Sequence, residues 1–390
     1  MLSVDEVWSL IDREVSALPS TSVPLAQACG RRLAEDICAD DDMPSFNRSA
    51  IDGFALPSGS QPGRYRIVGE SKPGMPAPSG PHEGEAVKIF TGSALPDSGM
   101  ELVMVEDTAL LGDVVTVNVP SSGKHVRTRG SQAKAGEVLL PRDSLIGPGA
   151  IALLATVGAA EPQVSPVVRT AHLSTGSELV SVAQNPALGF IRDSNSPLIA
   201  ALLAEAGAAL SFQDRVSENV DDAVAALEKT DADLFLISGG ASVGQYDGTA
   251  EILRRLGFVI HSAKVKSRPG KPLIFATRGS QVAFGLPGNP LSHFVCFHLF
   301  VRRAVDRLAG LLPRQMILVR LAGEPPAPDP RETWWPAKIR AEVGCLVADP
   351  LPWRDSSDLT GLPPANALLR IGTSGTNGLV EALLFGSLEV

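Results

Sequence analysis

"LFLISGGASVGQYDG", residues 234–248, runs from four apolar residues through Ser238 into two glycines, then through small and polar residues to an acid at Asp247. An apolar run this short, ending in glycines, reads as a buried strand, and the stretch after it as a loop that exposes backbone N–H groups. On both sides the chain alternates between strand and helix patterns. "VVRTAHLST" reads as a strand and "SNSPLIAALLAEAG" as a helix opened by Ser/Asn/Ser with Pro197 in its first turn. "ALSFQDRV" is a strand and "NVDDAVAALEKT" an amphipathic helix. Beyond residue 248 come the helix "GTAEILRRLG", the strand "VIHSAKV", the hairpin-like pair "PLIFAT" and "QVAFGLPG", and a long helix from Pro290. Such alternation predicts a doubly wound, mostly parallel α/β sheet with helices on both faces, with ligands bound beyond the carboxyl ends of its strands.

The flanks have a different character. Val4, Val7, Trp8, Ile11 and Val15 recur at helical spacing, and a second short helix is expected from Pro24 to Asp36. Residues 43–142 carry short strand-like runs between frequent prolines and glycines, a β-rich module. Residues 143–165 return to helix, and the chain after Leu312 is again short-stranded and Pro-rich. The expected layout is a multidomain α/β protein. It has a discontinuous helical domain (1–42 and 143–166), a β-rich domain (43–142), the α/β domain (167–312) and a small C-terminal β domain (313–390).

A chain of 390 residues suits several domains better than one core. Its net charge of −9 argues against general nucleic-acid binding. Cys29, Cys38, Cys296 and Cys345 show no C-x-x-C spacing, which fits a reduced compartment. His293 and His298 are five apart and do not share a helix face as a zinc pair would. The N-terminus is acidic and amphipathic rather than signal-like, and the apolar segment 145–160 is short and broken by glycine and proline. A soluble, cytoplasmic protein with no membrane partner is expected.

Four loops at strand ends are rich in small and polar residues: 174–178, 238–247, 267–272 and 287–292. Converging on one sheet edge, they make a site for a phosphorylated ligand, since bare N–H groups and helix N-termini attract anions. Neither the G-x-G-x-x-G dinucleotide pattern nor the Walker A pattern is present. Glu178 and Asp247 point to Mg²⁺ between carboxylate and phosphate. The ordinary alternative for each is an N-cap of the following helix. Lys264, Lys266, Arg268 and Lys271 supply positive charge, with Lys271, between Gly270 and Pro272, the best placed for an anion. Asp52, between Ile51 and Gly53–Phe54, is a further acid whose direction spacing does not settle.

Taken together, these motifs resemble the MoeA family, the molybdenum insertases that include the plant insertase domain and the E domain of gephyrin. The likeness rests on "PSFNRSAIDGFAL", "VKIFTGSALPDSGMELVMVED", "LSTGSELV", "GFIRDSNSPLIAALL", "ISGGASVGQYD", "RPGKP", "FGLPGNPLS" and "SSDLTGLPPANALL", which run nearly end to end. The resemblance implies an elongated four-domain subunit that works as a homodimer, its cleft shared between the α/β domain of one subunit and the β-rich domain of the other. It implies insertion of molybdenum, from molybdate as co-substrate, into adenylylated molybdopterin, with AMP released and Mg²⁺ required. A molybdopterin adenylyltransferase or a target molybdoenzyme would be further partners.

By resemblance, Asp52, Asp247 and Lys271 are catalytic, and Asp247 and Glu178 hold the metal. Implied substrate contacts come from Thr91 and Gly92, from Thr175 and Gly176, and from Asp193, Ser194 and Asn195. Others come from Ser238, Gly239, Gly240, Ser242 and Gly244, from Arg268, Pro269 and Gly270, and from Pro287, Gly288, Asn289, Pro290 and Ser292. Departures from the family pattern remove acids: Asn47 and Arg48 precede the S-A-x-D-G motif, Gly130–Ser131–Gln132 stands where Gly-Glu-Asp is common, and Gln245 replaces a frequent acid. Ser177 stands where Asp is frequent, and "TWWPAKI" lacks an arginine, for which Arg354 beside Ser356 and Ser357 is the substitute. These losses keep open an alternative, a non-catalytic paralogue that binds or delivers molybdopterin or the finished cofactor.

Overall fold

Leu234–Ser238 forms a strand whose five residues are all buried. Burial on both faces is what an unalternating apolar run requires. It pairs in parallel with Arg169–Thr175 and Gln281–Leu286. The six-stranded sheet runs Ala209–Val216, Arg169–Thr175, Leu234–Ser238, Gln281–Leu286, Pro272–Arg278, Val259–Lys264. The first four strands are parallel and the last two join antiparallel. Side chains alternate across it. Leu234 and Leu236 enter a core with Ile199, Leu202 and Leu203 of the helix Asn195–Glu205 and with the chain from Leu291 to Leu308. Phe235 and Ile237 enter a second core with Ala223 and Leu227 of the helix Val220–Glu228 and with Ile252 and Leu253 of the helix Tyr246–Arg255. Helices therefore cover both faces, as the sequence predicts.

The computed structural model describes residues 1–96, 99–239, 246–323, 329–372 and 378–388, and the backbone alone of Tyr246 and Asp247. The chain divides into two units, Met1–Thr21 with Ser165–Val390, and Ser22–Val164. The N-terminal helix, Val4–Glu14, is closed by a capping box in which Glu6 N donates to Ser3 Oγ (3.2 Å) and Ser3 N to Glu6 Oε2 (2.7 Å). The sequence reading groups residues 1–42 with 143–166. The packing differs: Val4, Val7 and Ile11 are fully buried in the α/β core, and Trp8 Nε1 donates to Leu299 O at 2.7 Å.

The predicted long helix is three consecutive pieces, Pro290–Cys296, the π-helical Phe297–Val301 and Arg302–Leu308. After it, five strands close on themselves. Glu332–Glu342 pairs with both Cys345–Pro350 and Ala367–Ile371, and Met316–Leu321 pairs with both Cys345–Pro350 and Leu379–Leu384. Ala367–Ile371 with Leu379–Leu384 completes the ring. The product is a small barrel filled by Val319, Ala337, Ile339, Leu369 and Ala382.

In the second unit a six-stranded sheet runs Met100–Met104, Gly53–Pro57, Glu85–Ile89, Gly63–Ser71, Val114–Val117, Thr108–Leu111. A separate core gathers Val23, Leu33, Ile37, Ile146, Leu154 and Val164 around the helix Pro148–Thr156. The helix expected from Pro24 to Asp36 is a single 3-10 turn, Leu25–Gln27; beyond it Gly30 takes φ +82°, and Arg32 and Leu33 form β-bridges to Leu145 and Val164 instead of continuing a helix. Among the described residues no helix is long and apolar enough to cross a membrane. All four cysteines are free thiols.

Candidate active site

The parallel strands deliver the loops after Thr175, Ser238 and Leu286 to one edge of the sheet. The edge strand Val259–Lys264 runs the same way, since it is antiparallel to a strand antiparallel to Gln281–Leu286, so the 267–272 loop joins them. Over that edge lies a cavity of about 920 Å³, large enough for a nucleotide-sized ligand.

Most of the residues inferred from sequence line it: Thr175, Glu178, Asp193, Ser194, Asn195, Ser238 and Gly239 from the first two loops and the start of the helix Asn195–Glu205. Arg268, Pro269, Gly270 and Lys271 follow from the third, and Pro287, Gly288, Asn289, Pro290 and Ser292 from the fourth. Gly176 does not line it; its N–H donates to Val216 O. Gly240, Ser242, Gly244 and Gln245 lie outside the described residues, as does the Asp247 side chain, whose backbone sits in the first turn of Tyr246–Arg255.

The loops are tied to one another. Asn195 Nδ2 donates to Gly288 O (2.7 Å), Gly239 N to Leu286 O (3.4 Å) and Thr175 Oγ1 to Ser238 O (3.3 Å). Asp193 accepts from Ser196 N (3.0 Å) and Ser196 Oγ (2.6 Å), which opens the helix in place of a Ser194 cap. Gly239 has φ +105°, and a Cβ there would collide with the carbonyl oxygen of Thr175. Only glycine lets these two loops approach so closely.

The barrel supplies the opposite wall through Arg331, Trp353, Arg354, Asp355, Ser356 and Ser357. Asn289 Nδ2 donates to Ser356 Oγ at 2.7 Å, and Leu291 N and Ser292 N reach Ser356 O. Asp329 bridges two cavity arginines, accepting from Arg331 Nε and from Arg268 Nη1, each at 3.1 Å. The side-chain and backbone donors of Arg331, and then the Arg268 charge, hold its carboxyl below the usual range. Arg268 also lies over the Trp353 ring, 5.2 Å from its centroid. Five cationic residues, Arg192, Arg268, Lys271, Arg331 and Arg354, thus line the cavity, all from one unit. Sequence reasoning missed Arg331 and Trp353, which belong to no local pattern. Arg354 and the two serines were visible in the late "SSDLTGLPPANALL" stretch and its neighbour.

Glu178 is the expected metal-binding acid that the structure places on the cavity. Among the described residues no three His, Cys, Asp or Glu side chains converge as a metal cage. A donor set of one or two carboxylates is what Mg²⁺ takes when ligand phosphates and waters complete its shell. The residues present therefore fit the ion.

In the second unit, Asp52 Oδ1 accepts from Thr91 N (2.7 Å) and Thr91 Oγ1 (3.0 Å), and Gly92 N donates to Ser49 O (2.8 Å). The Thr91 N–H first, and its hydroxyl second, hold the Asp52 carboxyl below the ordinary range. A Cβ on the following Gly53 would collide with Val103 O, so a glycine is needed where the chain turns from Asp52 into its strand. Asn47 turns out to be a structural amide. It is 8% exposed, its Nδ2 donates to Pro96 O (3.2 Å) and its Oδ1 accepts from Arg129 N (2.7 Å). An Asp there would set a carboxylate against a carbonyl.

Comparison with known proteins places the chain in a family. Residues 2–158 match the MoeA N-terminal region (domain I and II) and residues 171–307 the probable molybdopterin binding domain. The molybdopterin molybdenumtransferase of Staphylococcus aureus (strain Mu50) is 34% identical over 323 residues, covering 80% of this chain and 77% of the relative. The protein of the same name from Staphylococcus epidermidis is 29% identical over 401 residues, covering 98% and 95%. The crystal structure of a molybdopterin biosynthesis MoeA protein from Pyrococcus horikoshii superposes with a TM-score of 0.80 at 24% identity, covering 99% of this chain and all of that one, and shows the same fold. The chain belongs to the MoeA family of molybdopterin molybdenumtransferases.

Proposed function

We propose that this enzyme of molybdenum-cofactor biosynthesis takes molybdate and adenylylated molybdopterin, inserts the metal and releases AMP. The observation that carries the reading is the cavity itself, with glycine-rich strand ends on one side and the cations Arg192, Arg268, Lys271, Arg331 and Arg354 around it. Backbone N–H groups of the 174–178 and 287–292 loops that are not spent on protein carbonyls would bind phosphate oxygens, and the helix start at Asn195 adds its positive end. Lys271 and the Arg268–Asp329–Arg331 fork would hold a tetrahedral dianion by fixed charge, worth most where water is thinned out. Glu178, with Asp247, would hold Mg²⁺, which when bound neutralises charge on the phosphoanhydride. Asp52, kept ionised by Thr91, is the proposed third catalytic group. Resemblance to the family further supports a cytoplasmic homodimer supplied by a molybdopterin adenylyltransferase and serving a target molybdoenzyme.

The delivery alternative leans on missing acids, and the structural role of Asn47 removes one of them. The test is AMP release from adenylylated molybdopterin with Mg²⁺, with and without molybdate, for the unmodified enzyme and Asp247→Asn. Molybdate-triggered release that the variant lacks is expected. Tight binding with no AMP under any anion would instead make the chain a carrier.

A further inference from the structure

Beneath the cavity floor a line of polar groups, buried at His172, Ser238 and His293 and reaching the surface at Gln213, connects three of its loops, and no step described above uses it. Gln213 Nε2 lies 3.0 Å from Ser196 O and 2.9 Å from His172 Nδ1. His172 Nε2 lies 2.6 Å from Ser238 Oγ, which is 3.5 Å from His293 Nε2, and His293 Nδ1 is 3.1 Å from Pro287 O. His172 and His293 are fully buried, and Ser238 is 1% exposed.

The two ends settle the direction of every bond between them. Ser196 O and Pro287 O are carbonyls and only accept. Gln213 Nε2 is therefore the amide nitrogen, and its second hydrogen goes to His172 Nδ1, which must be bare. A neutral imidazole then carries its proton on Nε2 and donates to Ser238 Oγ. At the far end, His293 must hold its proton on Nδ1 to reach Pro287 O, so its Nε2 is an acceptor and the Ser238 hydroxyl donates to it. Burial holds both imidazoles below their ordinary pKa, to about 3 and about 4, which agrees with two neutral rings. Each donor and acceptor along the line is used once, and the two rings have opposite tautomers.

We propose that Gln213, His172 and His293 are positioning residues, whose one-way chain of hydrogen bonds pins Ser238, and with it Gly239, against the Pro287 loop and the 193–196 turn. Ser238 is the pivot because its hydroxyl is clamped from both sides while its backbone oxygen accepts from Thr175. Asp193 is held at the same turn by Ser196, whose carbonyl anchors the chain. The inference rests on the proposed function only for its effect on catalysis.

The test uses the full-length protein with ¹⁵N-labelled histidine. NMR through the ring protons reads each tautomer at neutral pH, and Gln213→Glu supplies the perturbation. A carboxylate cannot donate to His172 Nδ1, so the variant must reverse that ring or charge it. Expected for the unmodified protein are His172 protonated on Nε2 and His293 on Nδ1. In Gln213→Glu, His172 should switch, hydrogen exchange at Ser238 and Gly239 should quicken, and KM for adenylylated molybdopterin should rise about tenfold with kcat within about twofold. His172→Gln, whose amide keeps a donor toward Ser238, should restore slow exchange relative to His172→Leu. Any other tautomer pair in the unmodified protein overturns the proposal, and so does a switch at His172 that leaves exchange at Ser238 and Gly239 unchanged. An enzyme that releases no AMP would overturn the functional reading alone, since tautomers and exchange still decide the chain.

Discussion

Asp52 takes two hydrogen bonds from one residue, the backbone N–H and the hydroxyl of Thr91, on a single carboxylate oxygen. The second oxygen is left for a ligand or water among the described residues. Because both bonds favour the charged form, Asp52 is ionised throughout the working range. Thr91→Ala deletes the hydroxyl bond and keeps the N–H. Its carboxyl should rise part of the way back, so the acid limb of kcat/KM for AMP release moves to higher pH. Asp52→Asn should lower kcat by about a hundredfold or more while the fold is kept. An acid limb that stays put in Thr91→Ala would take Asp52 out of the catalytic set.

Two glycines of the opening motif should answer oppositely to the same change. Gly239 has φ +105° and its added Cβ would strike Thr175 O, whereas Gly248 meets nothing within 4 Å and sits inside a helix. Gly239→Ala should cost about 1–3 kcal/mol and abolish tight ligand binding, since the strain sits in the cradle. Gly248→Ala should be neutral or stabilising by up to about 1 kcal/mol. Thermal unfolding of both, with AMP release beside it, checks the pair.

Arginine at 268 is not exchangeable for lysine. The guanidinium must lie over Trp353 and pair with Asp329, a planar arrangement an ammonium does not reproduce. Arg268→Lys should therefore raise KM for molybdate several-fold despite unchanged charge. Lys271→Arg, at a site that asks only for charge, should be tolerated, and Lys271→Gln should raise that KM about tenfold. Equal KM values for Arg268→Lys and the unmodified enzyme would show that charge alone matters there.

What could be read beforehand follows how local its cause is. Leu234–Ile237 must be buried on both faces, and that single fact implies helices on both sides and a ligand edge at Ser238. The closure of Glu332–Glu342 onto two partners is a pairing between distant segments, so only short strands were legible there. Arg331 and Trp353 enter the cavity for the same non-local reason. The expected helix at Pro24–Asp36 gave way where Gly30 takes a positive φ and Arg32 and Leu33 pair with distant Leu145 and Val164, partners that a local apolar period does not show. Asn47 looked like a lost acid because its value lies in one donor aimed at Pro96 O, which composition does not reveal.

Three histidines make the α/β unit acid-sensitive in a stated window. His172 and His293 are held to about 3 and about 4 by burial, against the weak opposing pull of Asp193. His298 is pushed well down by burial and by Arg314 and Arg302. All three are neutral in the folded chain, whereas an unfolded chain protonates them near pH 6.5. The unfolded state then binds more protons, so stability is full above about pH 6.5 and falls as pH drops below it. Between pH 7 and pH 5 each buried imidazole should cost roughly 2 kcal/mol. The carboxylates held below their ordinary range, such as Asp329, contribute only below about pH 4, so the two effects separate. Scanning calorimetry from pH 7.5 to 4.5 should show the transition falling through this window, with a shallower slope in His172→Gln. A transition that does not move between pH 7 and pH 5 would mean that the rings take up protons without unfolding and that the pocket beneath Ser238 admits water.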